Sequence, residues 1–185
     1  MYGNGSAFGR TVTPYDIFFS TGSVQSEENI RTAHRLLPLG TSFDLVTRRL
    51  YLGKTKGYWI GVNGFLRVEI LQQIFSDLQN PLYTQDQTID EIQKYVDSKI
   101  GYVQTSLSGD WDDILRNLLS GPSLLLLDGF DRAVLLDVRT YPARSISEPD
   151  SEKVTKGARD GFVETLLFNA NLMRRRIRDP RLTFE

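Results

Sequence analysis

Apolar residues change period several times along this chain, and each change marks an element. Ser26-Glu27-Glu28-Asn29 reads as a helix start, with a capping side chain and then acids in the first turn. Ile30, Ala33, Leu36 and Leu37 follow at helical spacing, and Pro38 and Gly40 stop the helix. SFDLVTRRLYLG and YWIGVNGF read as strands joined by the tight KTKG turn, a hairpin over 42–65. LRVEILQQIFSDL places apolar residues at 66, 70, 71, 74, 75 and 78, one helical face ended by Asn80-Pro81. Thr88 caps the predicted helix IDEIQKYVDSKI, whose buried stripe is Ile89, Ile92, Val96 and Ile100. YVQTSL reads as a short strand, and Asp110 caps the helix WDDILRNLLSG, with Gly121 as its stop. SLLLLDGFDRAVLLDVR is a hairpin around Asp128-Gly129, its two runs so rich in Leu and Val that both faces should be covered.

This order predicts an α/β (α+β) sandwich with a mixed sheet of about five strands flanked by helices. The spacing also predicts a long C-terminal helix. From Ala158 to Ile177 the apolar residues fall at 158, 162, 163, 166, 167, 170, 173 and 177, a continuous stripe. Asp160 and Glu164 sit early, and Arg174, Arg175, Arg176 and Arg178 sit late, as the helix dipole favours; Pro180 ends the run. Twenty residues of helix reach about 30 Å, the width of a small domain. The composition turns to Pro, Ser, Glu and Arg at about 139–157. The expected organisation is a loosely held Gly/Ser/Thr-rich segment over 1–25, a compact unit over 26–140, and a linker loop with connector helix over 141–185.

Composition narrows the chemistry. At 185 residues, 40% hydrophobic and 24% charged, the chain has the makeup of a globular domain. A net charge of -1 provides no global field for nucleic acid or acidic lipid. With no cysteine and His34 as the single histidine, one copy cannot build a thiolate metal site or a zinc site of several histidines. No apolar run approaches the ~20 residues of a membrane span, and no P-loop or G-x-G-x-x-G occurs. We therefore expect no catalytic set, no cofactor and no metal. An enzyme lacking His and Cys would have to use carboxylates such as Asp44, Asp128 or Asp137. Asp110, Asp112 and Asp113 read better as a cap and first turn than as a cation site. Asn63-Gly64-Phe65 reads as a turn before a helix. Thr47-Arg48-Arg49 with Lys54 and Lys56 makes a basic hairpin without a stacking platform, so nucleic acid is not the expected partner.

The charged residues at the loop-to-helix junction are the interaction candidates. Arg139, Arg144, Glu148, Arg159 and Glu164 can form a local network that sets the linker angle, or a contact with another domain or subunit. Asn169, Arg174, Arg175, Arg176 and Arg178 extend the candidate surface along the helix, its arginines suiting carboxylate or phosphate partners.

Asp128-Gly129 with the returning strand to Arg139, Pro142 and Arg144 in YPAR, Glu148-Pro149, Gly157, GFVE at 161–164, Asn169 and the Arg-Arg-Ile-Arg run ending in Asp179-Pro180 together resemble the A subunits of bacterial spore germinant receptors, the GerA type. SFDLVTRRLYLG followed by NGF resembles the first hairpin of that family, so the likeness covers roughly residues 27–182. The resemblance implies a cytosolic N-terminal region of two small α/β subdomains joined by linker helices, then a helical membrane domain. On that footing the chain is the first subdomain with its linker; the second subdomain and the membrane spans lie outside it. Implied partners are other subunits of a spore inner-membrane germination complex, further copies of the same chain, and the membrane through the missing domain. The implied role is non-enzymatic assembly or coupling to ion release. The alternative is a small-molecule sensor similar to transporter substrate-binding proteins, an analogy of fold.

Overall fold

A computed structural model of the chain describes residues 25–52, 55–80, 92–101, 103–140, 162 and 164–185. The expectations placed on residues 1–24, Lys54, Thr88, Ile89 and the linker loop lie outside these residues.

Helix α1 (Gln25–Leu36) leads into strands β1 (Leu45–Leu52) and β2 (Thr55–Val62), then helices α2 (Val68–Gln79) and α3 (Ile92–Ile100). Strand β3 (Gln104–Ser108), helix α4 (Trp111–Leu118), strands β4 (Ser123–Leu127) and β5 (Ala133–Asp137) and helix α5 (Leu166–Ile177) complete the order. The five strands form one sheet in the order β1-β2-β4-β5-β3. Its pairings are all antiparallel, where the sequence reading expected a mixed sheet. Two hairpins generate β1–β2 and β4–β5, and the long-range pairings of β2 with β4 and of β3 with β5 are antiparallel as well.

Strand periodicity sorts the core into two layers. On one face Leu45, Tyr58, Ile60, Leu124, Leu126 and Leu135 pack under Ala33 of α1, Leu37 just after it, and Trp111, Ile114 and Leu118 of α4. On the other, Leu50, Leu52, Trp59, Leu125, Leu127, Val134 and Leu136 meet Leu71, Ile74, Phe75 and Leu78 of α2 and Val96 and Ile100 of α3. Every residue of β4 is buried, as its unbroken Leu run requires of a strand covered on both sides. Asp110 caps α4 by accepting from the Asp112 N–H at 3.0 Å. Gly129 turns the β4–β5 hairpin at φ 83°, a backbone region costly for other residues.

The register divides the basic hairpin. Arg48 pairs across from Trp59 and lies over the Phe75 ring at 5.4 Å, on the α2 face. Arg49, Tyr51 and Lys56 lie on the α1 face, because side chains alternate along each strand.

Candidate interaction site

The chain leaves the sheet and its terminal helix returns to it at one end of the β1–β2 hairpin. There Asn63 donates its N–H to the Asp44 carbonyl at 2.7 Å, and the turn at Gly64 takes φ 84°. The segment after β5 closes on this turn: Thr140 N–H donates to the Phe65 carbonyl at 2.7 Å and Arg67 N–H to the Val138 carbonyl at 2.9 Å. Arg139, bridged to Leu66, binds Asp137 through two side-chain hydrogen bonds. That Arg139 hydrogen bond holds the Asp137 carboxyl below the usual carboxylate value. Of the junction candidates, Arg139 is thus engaged locally and Glu164 stands exposed just before α5, while Arg144, Glu148 and Arg159 lie outside the described residues.

Helix α5 is shorter than its apolar pattern predicts. It runs for 12 residues, about 18 Å, from an extended Thr165 that provides no side-chain cap. Residues 158–161 and 163 of the predicted helix are outside the described set, and Phe162 is not helical. At the other end Arg178 takes the left-handed conformation, φ 50°, and turns its Nε back onto the Arg175 carbonyl at 2.9 Å.

The face that α5 lays on the body is polar. Its buried residues are Ala170, Asn171 and Arg174. Arg174 was expected to reach an outside partner, and the structure corrects this: its side chain is 0% exposed and belongs to a clasp within the chain. Nε donates to Asp44 Oδ2 at 2.7 Å and Nη2 to Asp44 Oδ1 at 3.0 Å, a bidentate pair with Asp44 equally buried. The remaining donors satisfy the carbonyls of Asp179 at 3.1 Å and Leu182 at 2.7 Å. Ser42 Oγ donates to Asp44 Oδ1, completing the acceptor's shell. The tail beyond the helix then folds over the pair. Phe184 N–H donates to Ser42 Oγ at 2.9 Å, its carbonyl accepts from Phe43 N–H at 3.0 Å, and its ring lies 5.0 Å from the Arg174 guanidinium. Asn171 packs on Gly64 so closely that a Cβ there would overlap its amide nitrogen.

The apolar stripe is divided: Ala170 packs on the body, while the large side chains before the helix, at its two ends and on its far side stay exposed. Phe162 is 66% exposed, Leu166 68%, Phe168 46% and Ile177 51%, while Leu167 and Met173 are half-buried. Asn169 is half-buried, and Arg175, Arg176 and Arg178 are exposed around the C-terminal turn. The sequence reading therefore found the stripe and the arginines but missed the partners Ser42, Asp44, Asn171 and Phe184. Ala170 and Asn171 lie four and three residues before Arg174 and so border it on the helix, but that spacing does not reveal the partners.

Of the carboxylates set aside for a catalytic reading, Asp44 is held by Arg174 and Asp137 by Arg139. Asp113 Oδ1 accepts from Asn117 Nδ2 at 3.0 Å, so the acidic start of α4 is held by its own helix. Among the described residues no cluster of three or more His, Cys, Asp or Glu is placed to hold a metal, and no helix is long and apolar enough to cross a membrane.

The model of the Bacillus/Clostridium GerA spore germination protein family matches residues 36–185. Among curated proteins, stage V sporulation protein AF of Bacillus subtilis (strain 168) is 34% identical over 78% of this chain and 29% of its own length. Spore germination protein KA of the same organism is 28% identical over 80% of this chain and 27% of its own length. The chain thus spans less than a third of either relative. Among solved structures, the crystal structure of the N-terminal domain of the A subunit of the Bacillus megaterium spore germinant receptor GerK3 superposes with a TM-score of 0.62 at 22% identity, covering 86% of this chain and 57% of that one.

Proposed function

The chain belongs to the GerA family of spore germination proteins, and from that premise we propose that it is a non-catalytic N-terminal region whose clasped helix α5 couples the sheet domain to the rest of a membrane-bound germination assembly. The observation that carries this reading is the apolar surface left exposed at α5 and just before it. A helix that served only its own globule would bury most of its large apolar side chains. Here Asn171 and Arg174 make the attachment, and Phe162, Leu166, Phe168 and Ile177 are left for something else. Covering each would contribute roughly 1–2 kcal/mol, given that each is only partly exposed. A buried bidentate ion pair suits such a joint: it fixes one angle and one register, while adding little net stability over an apolar contact.

The occupant we assign is the remainder of the full-length protein together with neighbouring subunits at the spore inner membrane, the sheet domain lying on the cytosolic side. Support comes from the lengths of the relatives, of which this chain matches 29% and 27%. The test uses the full-length protein in membranes. The chain has no native cysteine, so Leu166→Cys gives a single thiol in this region, mapped by peptide mass after maleimide treatment. The thiol should react readily in the isolated 185-residue chain and be protected in the assembled protein, and Leu166→Asp should weaken subunit assembly. Equal reactivity in both settings, with assembly unchanged by Leu166→Asp, overturns the proposal.

A further inference from the structure

At the far end of the same hairpin, about 20 Å from Asp44 along β1, a cleft of about 210 Å³ opens between α1 and the strands. Glu27, Ile30 and Arg31 of α1 form one wall; Arg49, Tyr51 and Lys56 form the other. The register explains how the second wall arises. Tyr51 stands directly across from Lys56, and Arg49 lies two residues back on the same face, diagonal to Lys56. Such diagonal neighbours are about 7–8 Å apart, close enough to converge on one small ion. Leu50 and Leu52, buried on the opposite face, hold the register, so the three side chains cannot move to the other side.

Charge is concentrated here against the trend of the molecule. Arg31, Arg49 and Lys56 face one carboxylate, Glu27, in a chain whose net charge is -1. Arg31 meets Glu27 at 3.8 Å across one helical turn, both highly exposed, so that pair is weak and holds Arg31 at the rim. Among the described residues neither Arg49 nor Lys56 has an ion-pair partner. Like charges placed together on a sheet face repel, and an anion between them relieves that cost. Two guanidinium groups, an ammonium and a phenol hydroxyl are all donors, a set matched to a ligand that only accepts. Ordinary small-molecule sites enclose ~300–1,000 Å³, so this cleft suits an oxyanion group rather than a whole nucleotide.

We propose that the cleft between α1 and the β1–β2 hairpin binds a phosphate oxyanion, held by Arg49 and Lys56 with Arg31 at the rim. The phosphate can come from a small soluble ester or from a phospholipid headgroup, and the experiment separates the two. The 185-residue protein is titrated with inorganic phosphate, against chloride at matched ionic strength, while backbone amide resonances are followed. In parallel it is sedimented with vesicles of phosphatidylglycerol and of phosphatidylcholine. Arg49→Gln/Lys56→Gln is the test variant, and Arg132→Gln, away from the cleft, is the control; unchanged thermal midpoints verify that both remain folded. Saturable phosphate shifts centred on Arg49, Tyr51 and Lys56, weakened about tenfold or more in the double variant but not in the control, support the site with a soluble source. Binding to phosphatidylglycerol vesicles alone, lost in the double variant, supports it with a lipid source. Absence of both, or equal binding by the double variant, overturns it.

Discussion

Replacing Arg174 with methionine should release α5 from the sheet domain without unfolding the sheet. The guanidinium makes two fully buried hydrogen bonds to Asp44 and two part-buried ones to main-chain carbonyls. Methionine fills much of the volume but leaves Asp44 buried with only the Ser42 hydroxyl, and removing one partner of a buried pair costs about 3–5 kcal/mol. That penalty can be relieved locally. If the helix and its tail lift away, water reaches Asp44, and the two sheet cores, built from other residues, remain intact. The cost should therefore appear as arm opening, increased roughly a hundredfold to a few thousandfold. Amide hydrogen exchange reads this directly: Arg178 and Phe184 N–H groups should lose protection by that factor, while amides of β4 change little. The double variant Asp44→Leu/Arg174→Met should recover most of the loss, because no uncompensated charge remains. Protection within tenfold of the parent in Arg174→Met, or a double variant as open as the single, would refute the reasoning.

Gly64→Ala should destabilise arm docking by about 1–3 kcal/mol, since alanine is strained at φ 84° and its methyl would strike Asn171; Gly129→Ala, at φ 83° with open space around it, should cost only the backbone strain, so denaturant midpoints should rank the two. Asp110→Ala should remove the α4 cap and lower stability by about 0.5–2 kcal/mol in equilibrium unfolding, with Asp112→Ala closer to neutral. Asp179 is held down to about 2, first by its side-chain hydrogen bond from Arg181 and then by the Arg181 backbone N–H. A depressed carboxyl stabilises the fold above its unfolded pKa of about 3.9 and loses that effect as pH falls through about 2. Carbon-detected titration should show this value, and Arg181→Ala should return it toward 3.8.

Local rules made most of the elements legible. The Asp110 cap, the Asp128-Gly129 turn and the saturated Leu run of β4 each specify their conformation within a few residues. The mixed pattern of β1 was also informative in retrospect: Leu45 faces one layer, while Leu50 and Leu52 face the other. A strand buried on different sides at its two ends shows no clean alternation. The strand directions were less legible, because the pairing of β3 with β5 is a long-range choice. The expected long helix failed at its front, where an extended Thr165 precedes Leu166 and the apolar periodicity continues regardless.

The amino-acid sequence by itself determined the family, the five strands and their covering helices, and the existence of an amphipathic terminal helix. It did so because caps, turn glycines and apolar spacing act over a few residues. Only the tertiary structure decided which way that helix faces. Arg174 and Asp44 are 130 residues apart, and no local signal distinguishes an arginine destined for solvent from one that meets a buried carboxylate. The same holds for Arg49 and Lys56, neighbours on one face only because the hairpin register puts them there. Periodicity reveals that a surface is apolar or charged, but which surface is covered is settled by the free energy of the whole packed arrangement.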